Sequence, residues 1–234
     1  MHFIASSLPL FSLKAQKKPI KLKFSLSLGM YLIKSPLLLK WYYPSLTWHK
    51  NRDQKVIYLT FDDGPIPDVT DFALKTLKSF NAKATFFCIG DNIHKHPDIF
   101  EKIKNEGHRI GNHTFNHLKG WKTPDEIYTK NFQKCQELTN TNLFRPPYGR
   151  IKKSQITNIR AMNPKTQIIM WDVLSGDFDV NLAPHKCFNN VIKHTGNGSI
   201  VVFHDSLKAY DRMHYALPRV LKHFSELGYR FDSL

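Results

Sequence analysis

Two adjacent carboxylates, Asp62 and Asp63, stand in the segment Thr60-Phe61-Asp62-Asp63-Gly64-Pro65, directly after the run Lys55-Val56-Ile57-Tyr58-Leu59. Like charges this close resist joint ionisation, so a pair of acids at a strand end is costly unless a cation or a catalytic task explains it. A helix N-cap cluster in a strand-to-helix turn is the bland alternative, because Asp is common there. His113 and His117, four residues apart in His113-Thr114-Phe115-Asn116-His117, follow a second apolar stretch and add two imidazoles. Three further polar clusters also follow apolar runs: Arg145-Pro146-Pro147-Tyr148-Gly149, Asp177-Phe178, and Phe203-His204-Asp205-Ser206.

These clusters need elements to position them. Apolar, β-rich runs predict strands over residues 56–61, 84–89, 108–111, 143–144, 167–173, 199–204 and 229–231. Helical spacing predicts helices over 68–80, 96–105, 124–138, 151–162, 184–194 and 210–227. The first helix opens on an acid and places Val69, Phe72, Leu74 and Leu77 on one broad face. The second stops at Glu106-Gly107, and the third starts with Thr123-Pro124-Asp125-Glu126. Repeated strand–helix alternation means a parallel sheet. Seven strands with their helices suggest an α/β fold, a distorted (β/α)7 barrel with one unit fewer than eight. Catalytic residues of such barrels sit at the C-terminal strand ends, and the polar clusters fall there.

The chain has 234 residues, of which 41% are apolar and 23% charged, enough for one α/β domain with a sizeable core. Its net charge of +15 is uneven: residues 1–50 hold eight lysines and no acid, which leaves +7 on the other 184 residues. No helix-turn-helix, zinc finger or aromatic RNA-reading motif accompanies this charge, so nucleic acid is not an expected partner. Cys88, Cys135 and Cys187 are odd in number, widely spaced and without a CxxC, which excludes a disulfide framework and a cysteine-based zinc site.

The N-terminal part reads as an extension over residues 1–51, ahead of a domain over 52–234. Residues 24–33 are apolar and follow five lysines, an order similar to a signal peptide, but Lys34-Ser35-Pro36 stands where a cleavage site is needed. The favoured reading takes Met30 as the true start, 1–29 as a loose extension, and 30–51 as an arm packing on the domain through Trp41, Tyr42, Tyr43 and Trp48. The lysines could give weak association with an anionic envelope surface.

The ordered clusters resemble the polysaccharide deacetylases, the NodB-homology domain of carbohydrate esterase family four. That family carries TFDDG, H[ST]xxH, RPPY, a DxxDW-like stretch and LxH. Here they stand as Thr60 to Gly64, His113 to His117, Arg145 to Tyr148, Leu174-Ser175-Gly176-Asp177-Phe178, and Val202-Phe203-His204, in the same order across roughly residues 52–234. Several such motifs together at strand ends are specific, where any one alone is weak.

The resemblance implies a metal-dependent hydrolase that removes acetyl groups from N-acetylated glycans of chitooligosaccharide or peptidoglycan type. It implies Asp63, His113 and His117 as ligands of one divalent metal, zinc being expected and cobalt, nickel or manganese the alternatives. It implies Asp62 as general base, Arg145 as the residue that orients it, and the Tyr148 main-chain N–H as oxyanion donor. It implies His204 as general acid, held by Asp177; Asp172 is a competing partner, and Asp205 could instead cap the loop that follows. The fourth motif departs from the pattern at Leu174, where Asp is frequent, and at Phe178, where Trp is usual. An O-acetyl esterase and a glycan-binding protein without turnover are the alternative functions. A monomer is expected, and the implied substrate points to the cell envelope or outside the cytoplasm; without a clear signal peptide, a cytoplasmic site is the alternative.

Overall fold

A computed structural model describes residues 31–234. The reading of residues 1–29 lies outside the described residues.

Strand β1 (Val56–Asp62) runs through the middle of the sheet, between β2 (Ala84–Cys88) and β7 (Ile200–His204). Outward from β2 follow β3 (Arg109–Asn112), β4 (Leu143–Phe144) and β5 (Gln167–Ile168); β6 (Val173–Leu174) lies beyond β7. Every strand pair is parallel, including β8 (Arg230–Phe231) against the start of β1. This is the curved sheet of a (β/α)7 barrel, with its polar clusters at one end.

The alternation of β1 sorts its side chains between two faces. Ile57, Leu59 and Phe61 point to the helical layer of α2 (Val69–Ser79) and α8 (Tyr210–Glu226), in one core cluster with Leu74, Leu77, Leu217, Val220 and Leu221. Phe61 stacks between Phe86 and Phe203, with ring centroids 4.8 and 6.1 Å apart. Fully burying one such ring stabilises the fold by roughly 1.5–3 kcal/mol. Thr60 and Asp62 take the opposite, inner face, so the outward packing of Phe61 aims Asp62 into the barrel.

The apolar run at 167–173 does not form one strand. β5 pairs with β4 and β6 pairs with β7, at opposite edges of the sheet, and residues 169–172 cross the gap between them. The N-terminal arm meets part of this stretch and the residues that flank it. Thr47 N–H donates to Ile168 O at 2.9 Å, and Met170 N–H donates to Thr47 O at 2.7 Å. Ser35 N–H donates to Asp172 O at 3.0 Å, and Leu174 N–H to Ile33 O at 2.8 Å. Leu46 and Trp48 of this arm are buried against Ile156, Ile159 and Ile168. The rest of the arm includes the short helix α1 (Leu37–Tyr42), none of whose residues is buried.

The remaining helices are α3 (Gly90–Lys95), α4 (Pro97–Asn105), α5 (Asp125–Thr139), α6 (Lys153–Met162) and α7 (Pro184–His194). Short 3-10 turns occupy Gly120–Lys122 and Pro147–Gly149. No described helix is long and apolar enough to cross a membrane.

Candidate active site and metal centre

All eight residues implied by the motifs lie at the C-terminal end of the sheet: Asp62 and Asp63 at β1, His113 and His117 beyond β3, Arg145 and Tyr148 beyond β4, Asp177 beyond β6, and His204 at β7. Asp62 is buried and ends β1 on its inner face. Asp63 leaves the strand in the left-handed region, φ 84°, which costs a non-glycine residue on the order of 1–3 kcal/mol unless its surroundings hold it. Asn92 Nδ2 does so by donating to Asp63 O at 2.7 Å. Gly64 follows because nothing larger fits: a Cβ there would stand 1.9 Å from Asp205 Oδ2.

Asp205 is the clamp on this turn. Its Oδ1 accepts from Gly64 N–H at 3.0 Å, its Oδ2 accepts from Thr70 Oγ1 at 2.6 Å, and its own N–H donates to Asp62 O at 3.1 Å. Burial pushes its carboxyl up to about 8. The sequence reading gave Asp205 only a capping role. The signal was its place one residue beyond His204, which pairs with Asp62 in register.

The two imidazoles come from a tight loop after β3 rather than from a helix. Thr114 (φ 62°) and His117 (φ 55°) both adopt the left-handed conformation. Asn112 Oδ1 accepts from Thr114 N–H at 2.8 Å. Asn131 on α5 accepts from the N–H groups of Phe115 and Asn116, both at 2.9 Å. Sequence reasoning missed Asn131, which has no local signal; it matters only because α5 packs beside this loop.

His113 Nδ1 lies 2.8 Å from Arg145 O, an acceptor, so Nδ1 carries the proton and Nε2 keeps its lone pair. Burial pulls His113 down to about 4 against the attraction of Asp62, which leaves it neutral at pH 7. His117 Nε2 lies 3.2 Å and His113 Nε2 3.7 Å from Asp63 Oδ1. Burial works to raise the Asp63 pKa, but the imidazoles of His117, His204 and His113 override it and hold the carboxyl well below its usual range. Asp63 Oδ1 is buried yet takes no aligned hydrogen bond. Such an oxygen is costly unless a cation meets it. The ligand atoms of Asp63, His113 and His117 lie within 4.8 Å of one another, so one carboxylate and two imidazoles fit a borderline divalent ion such as zinc.

Arg145 is fully buried over the Phe87 ring, its guanidinium carbon 4.1 Å from the centroid. Nη1 donates to Asp62 Oδ1 and to Thr60 Oγ1, both at 2.7 Å; Nη2 donates to Met170 O at 3.0 Å and Nε to Ile169 O at 3.3 Å. It thus satisfies the strand gap and aims Asp62 with the same fork. Tyr148 takes φ 60° in the Pro147–Gly149 turn, and its ring lies 4.6 Å from that of His117.

On the other side, His204 Nδ1 meets Asp177 Oδ1 at 2.7 Å, and Asp177 Oδ2 accepts from His204 N–H at 2.7 Å. Burial opposes the charged imidazole, but Asp177 outweighs it and lifts His204 to about 9. Phe178 places its ring 5.3 Å from His204, edge to face. Leu174 packs in β6 opposite Val202. Asp172 lies at the opposite end of β7, where it binds Ser199, Lys34, Lys40 and Arg52 rather than His204.

Relatives share this arrangement of chain. The polysaccharide deacetylase profile matches residues 49–166. A peptidoglycan-N-acetylglucosamine deacetylase of Bacillus cereus is 33% identical over 193 residues, covering 80% of this chain and 89% of that protein. A chitooligosaccharide deacetylase of Azorhizobium caulinodans is 34% identical over 163 residues, covering 66% of this chain and 75% of that protein. A crystal structure of a peptidoglycan N-acetylglucosamine deacetylase superposes with a TM-score of 0.78 at 30% identity, over 86% of this chain and 95% of that one. With its fold and five ordered motifs, the chain belongs to the polysaccharide deacetylase family of hydrolases.

Proposed function

We propose that the protein is a metal-dependent N-deacetylase of acetylated glycans, of the chitooligosaccharide or peptidoglycan type, that splits the amide into acetate and a free amine. The observation that carries this reading is the buried, unpartnered Asp63 Oδ1, faced by His113 and His117 and flanked by a held carboxylate and a held imidazole. A divalent ion held by Asp63, His113 and His117, zinc above all, supplies polarisation of the acetyl carbonyl and acidification of water. Asp62, aimed by Arg145, takes the proton of the attacking water. The Tyr148 main-chain N–H donates to the developing oxyanion. His204, charged through Asp177, gives its proton to the amine nitrogen as the C–N bond breaks.

An O-acetyl esterase would use the same parts, but an amine is the poorer leaving group and needs the proton that Asp177 keeps on His204. A binding protein needs neither the Arg145–Asp62 nor the Asp177–His204 pair. A peptidoglycan substrate would put the enzyme's work at the cell envelope. The test is acetate release from N-acetylglucosamine oligomers by zinc-loaded protein, beside Asp62→Asn and His204→Ala. Release with losses of about 10²–10⁴-fold in each variant supports the reading. One tightly bound metal without release from these oligomers, peptidoglycan or acetylxylan supports a binding protein.

A further inference from the structure

We infer that a cationic aromatic ledge beside the metal cluster, built from Tyr148, Lys119, Trp121 and Arg150, takes a carboxylate on the sugar next to the acetylated one. The inference deepens the deacetylase reading and rests on it. Two segments run side by side away from the cluster. The Tyr148 ring lies 4.6 Å from that of His117, and Lys119 Nζ stands 5.1 Å over the Tyr148 ring. One step further, a Cβ on Gly120 would stand 2.4 Å from Arg150 O, so only glycine lets the segments approach. Beyond it, the Arg150 guanidinium lies 4.6 Å over the Trp121 ring, and Trp121 Nε1 donates to Ile151 O at 3.1 Å. Trp121 is four residues from His117, at most about 14 Å of extended chain, so the ledge is close to the reacting sugar.

The ledge is rigid. Buried Gln155 donates to Gly120 O at 3.0 Å and to Thr123 O at 3.2 Å, and accepts from Lys152 N–H at 3.0 Å. Yet Tyr148 is 57% and Trp121 54% exposed. Large rings held still in water offer stacking area without an ordering cost at binding. Lys119 and Arg150 each rest on a ring, and among the described residues neither forms an ion pair with a carboxylate. With its face on the indole, Arg150 keeps edge N–H donors for a carboxylate, which it can take with two bonds. Lys119 adds a point charge nearer the metal cluster. The ligand is therefore an acetylated glycan that carries a carboxylate beside the scissile amide, as an ether-linked lactate or a uronate.

The test compares KM for acetate release from three substrates: alternating N-acetylglucosamine–N-acetylmuramic acid oligomers, the same oligomers with the carboxylate reduced to an alcohol, and N-acetylglucosamine oligomers. Oligomers in which N-acetylglucosamine alternates with glucuronic acid separate uronate from lactate. Wild type should favour the carboxylate form over its reduced counterpart. Arg150→Gln and Lys119→Gln should each narrow that preference roughly three- to fivefold, and added salt should narrow it further. Lys222→Gln, on the far helix α8, controls for net charge. An equal preference in wild type, Arg150→Gln and Lys119→Gln overturns the ledge while leaving the deacetylase reading intact. Should no substrate release acetate, that reading fails, and calorimetric binding of the same oligomers then decides the ledge by the same ratio.

Discussion

The Asp177 carboxylate grips His204 twice, through Nδ1 at 2.7 Å and through the main-chain N–H at 2.7 Å. Ring and backbone are thereby fixed to one group: the main-chain bond holds the carboxylate in place, and turning the imidazole away breaks its bond through Nδ1. Its folded pKa, about 9, lies above the usual value near 6.5. The stability this pair contributes is therefore fully present below pH about 6.5 and is lost as pH rises through about 9. NMR titration of metal-free protein should find His204 at about 9, and Asp177→Asn should bring it down. Metal loading should also lower it, because a dication nearby disfavours the imidazolium. A His204 shift unmoved by Asp177→Asn would contradict the assigned cause.

Metal binding should appear as stability. A ligand at a hundred times its Kd adds about 2.7 kcal/mol, which in a chain of this size raises Tm by roughly 5–10 °C. Zinc added to chelator-treated protein should give that rise with a stoichiometry near one ion per chain. Asp63→Ala and His117→Ala should abolish it. In Asp63→Ala the metal-free protein should be less stable than wild type at neutral pH, because the ionised carboxylate that the imidazoles favour is gone.

Asn131→Ala should act through the His113–His117 loop. It removes the side-chain acceptor of Asn116 N–H, leaves Phe115 N–H only the Asn131 carbonyl, and leaves α5 otherwise intact. Loss of an outer partner of this kind typically weakens metal affinity by about 10–100-fold. Zinc titration should show that drop while the circular dichroism spectrum stays unchanged.

Asp172→Ala should loosen the arm rather than the site. It strands Lys34, Lys40 and Arg52 around a buried position and should cost on the order of 3 kcal/mol, less than a wholly buried pair because two of the cations are well exposed. Limited proteolysis should cut near residues 33–46 sooner than in wild type, and zinc affinity should fall by less than in Asn131→Ala.

The site was legible in sequence because each of its residues ends or follows a run whose composition alone marks a strand. The Asp62-Asp63 pair after 56–61 and His204 after 200–203 are such cases. Residues whose role depends on a distant partner were not legible. Asn131 looks like any helical polar residue until α5 lies beside the imidazole loop. The apolar run 167–173 reads as one strand because composition does not say which edge each half joins; its halves pair with β4 and β7 separately. The choice between Asp172 and Asp177 could not be made from alternation along a strand, because the two carboxylates lie at opposite ends of the sheet.

The arm's pairing with residues 168–174 links positions more than a hundred residues apart in the chain. On the ribosome, Thr47 emerges long before Ile168 and Met170 exist. The first part of the domain to be made is therefore among the last that can be seated, since its partners Ile168, Met170, Asp172 and Leu174 are made more than a hundred residues later. Closure of the barrel is a late, long-range event, on the slow side for a chain otherwise built from neighbouring strand–helix units.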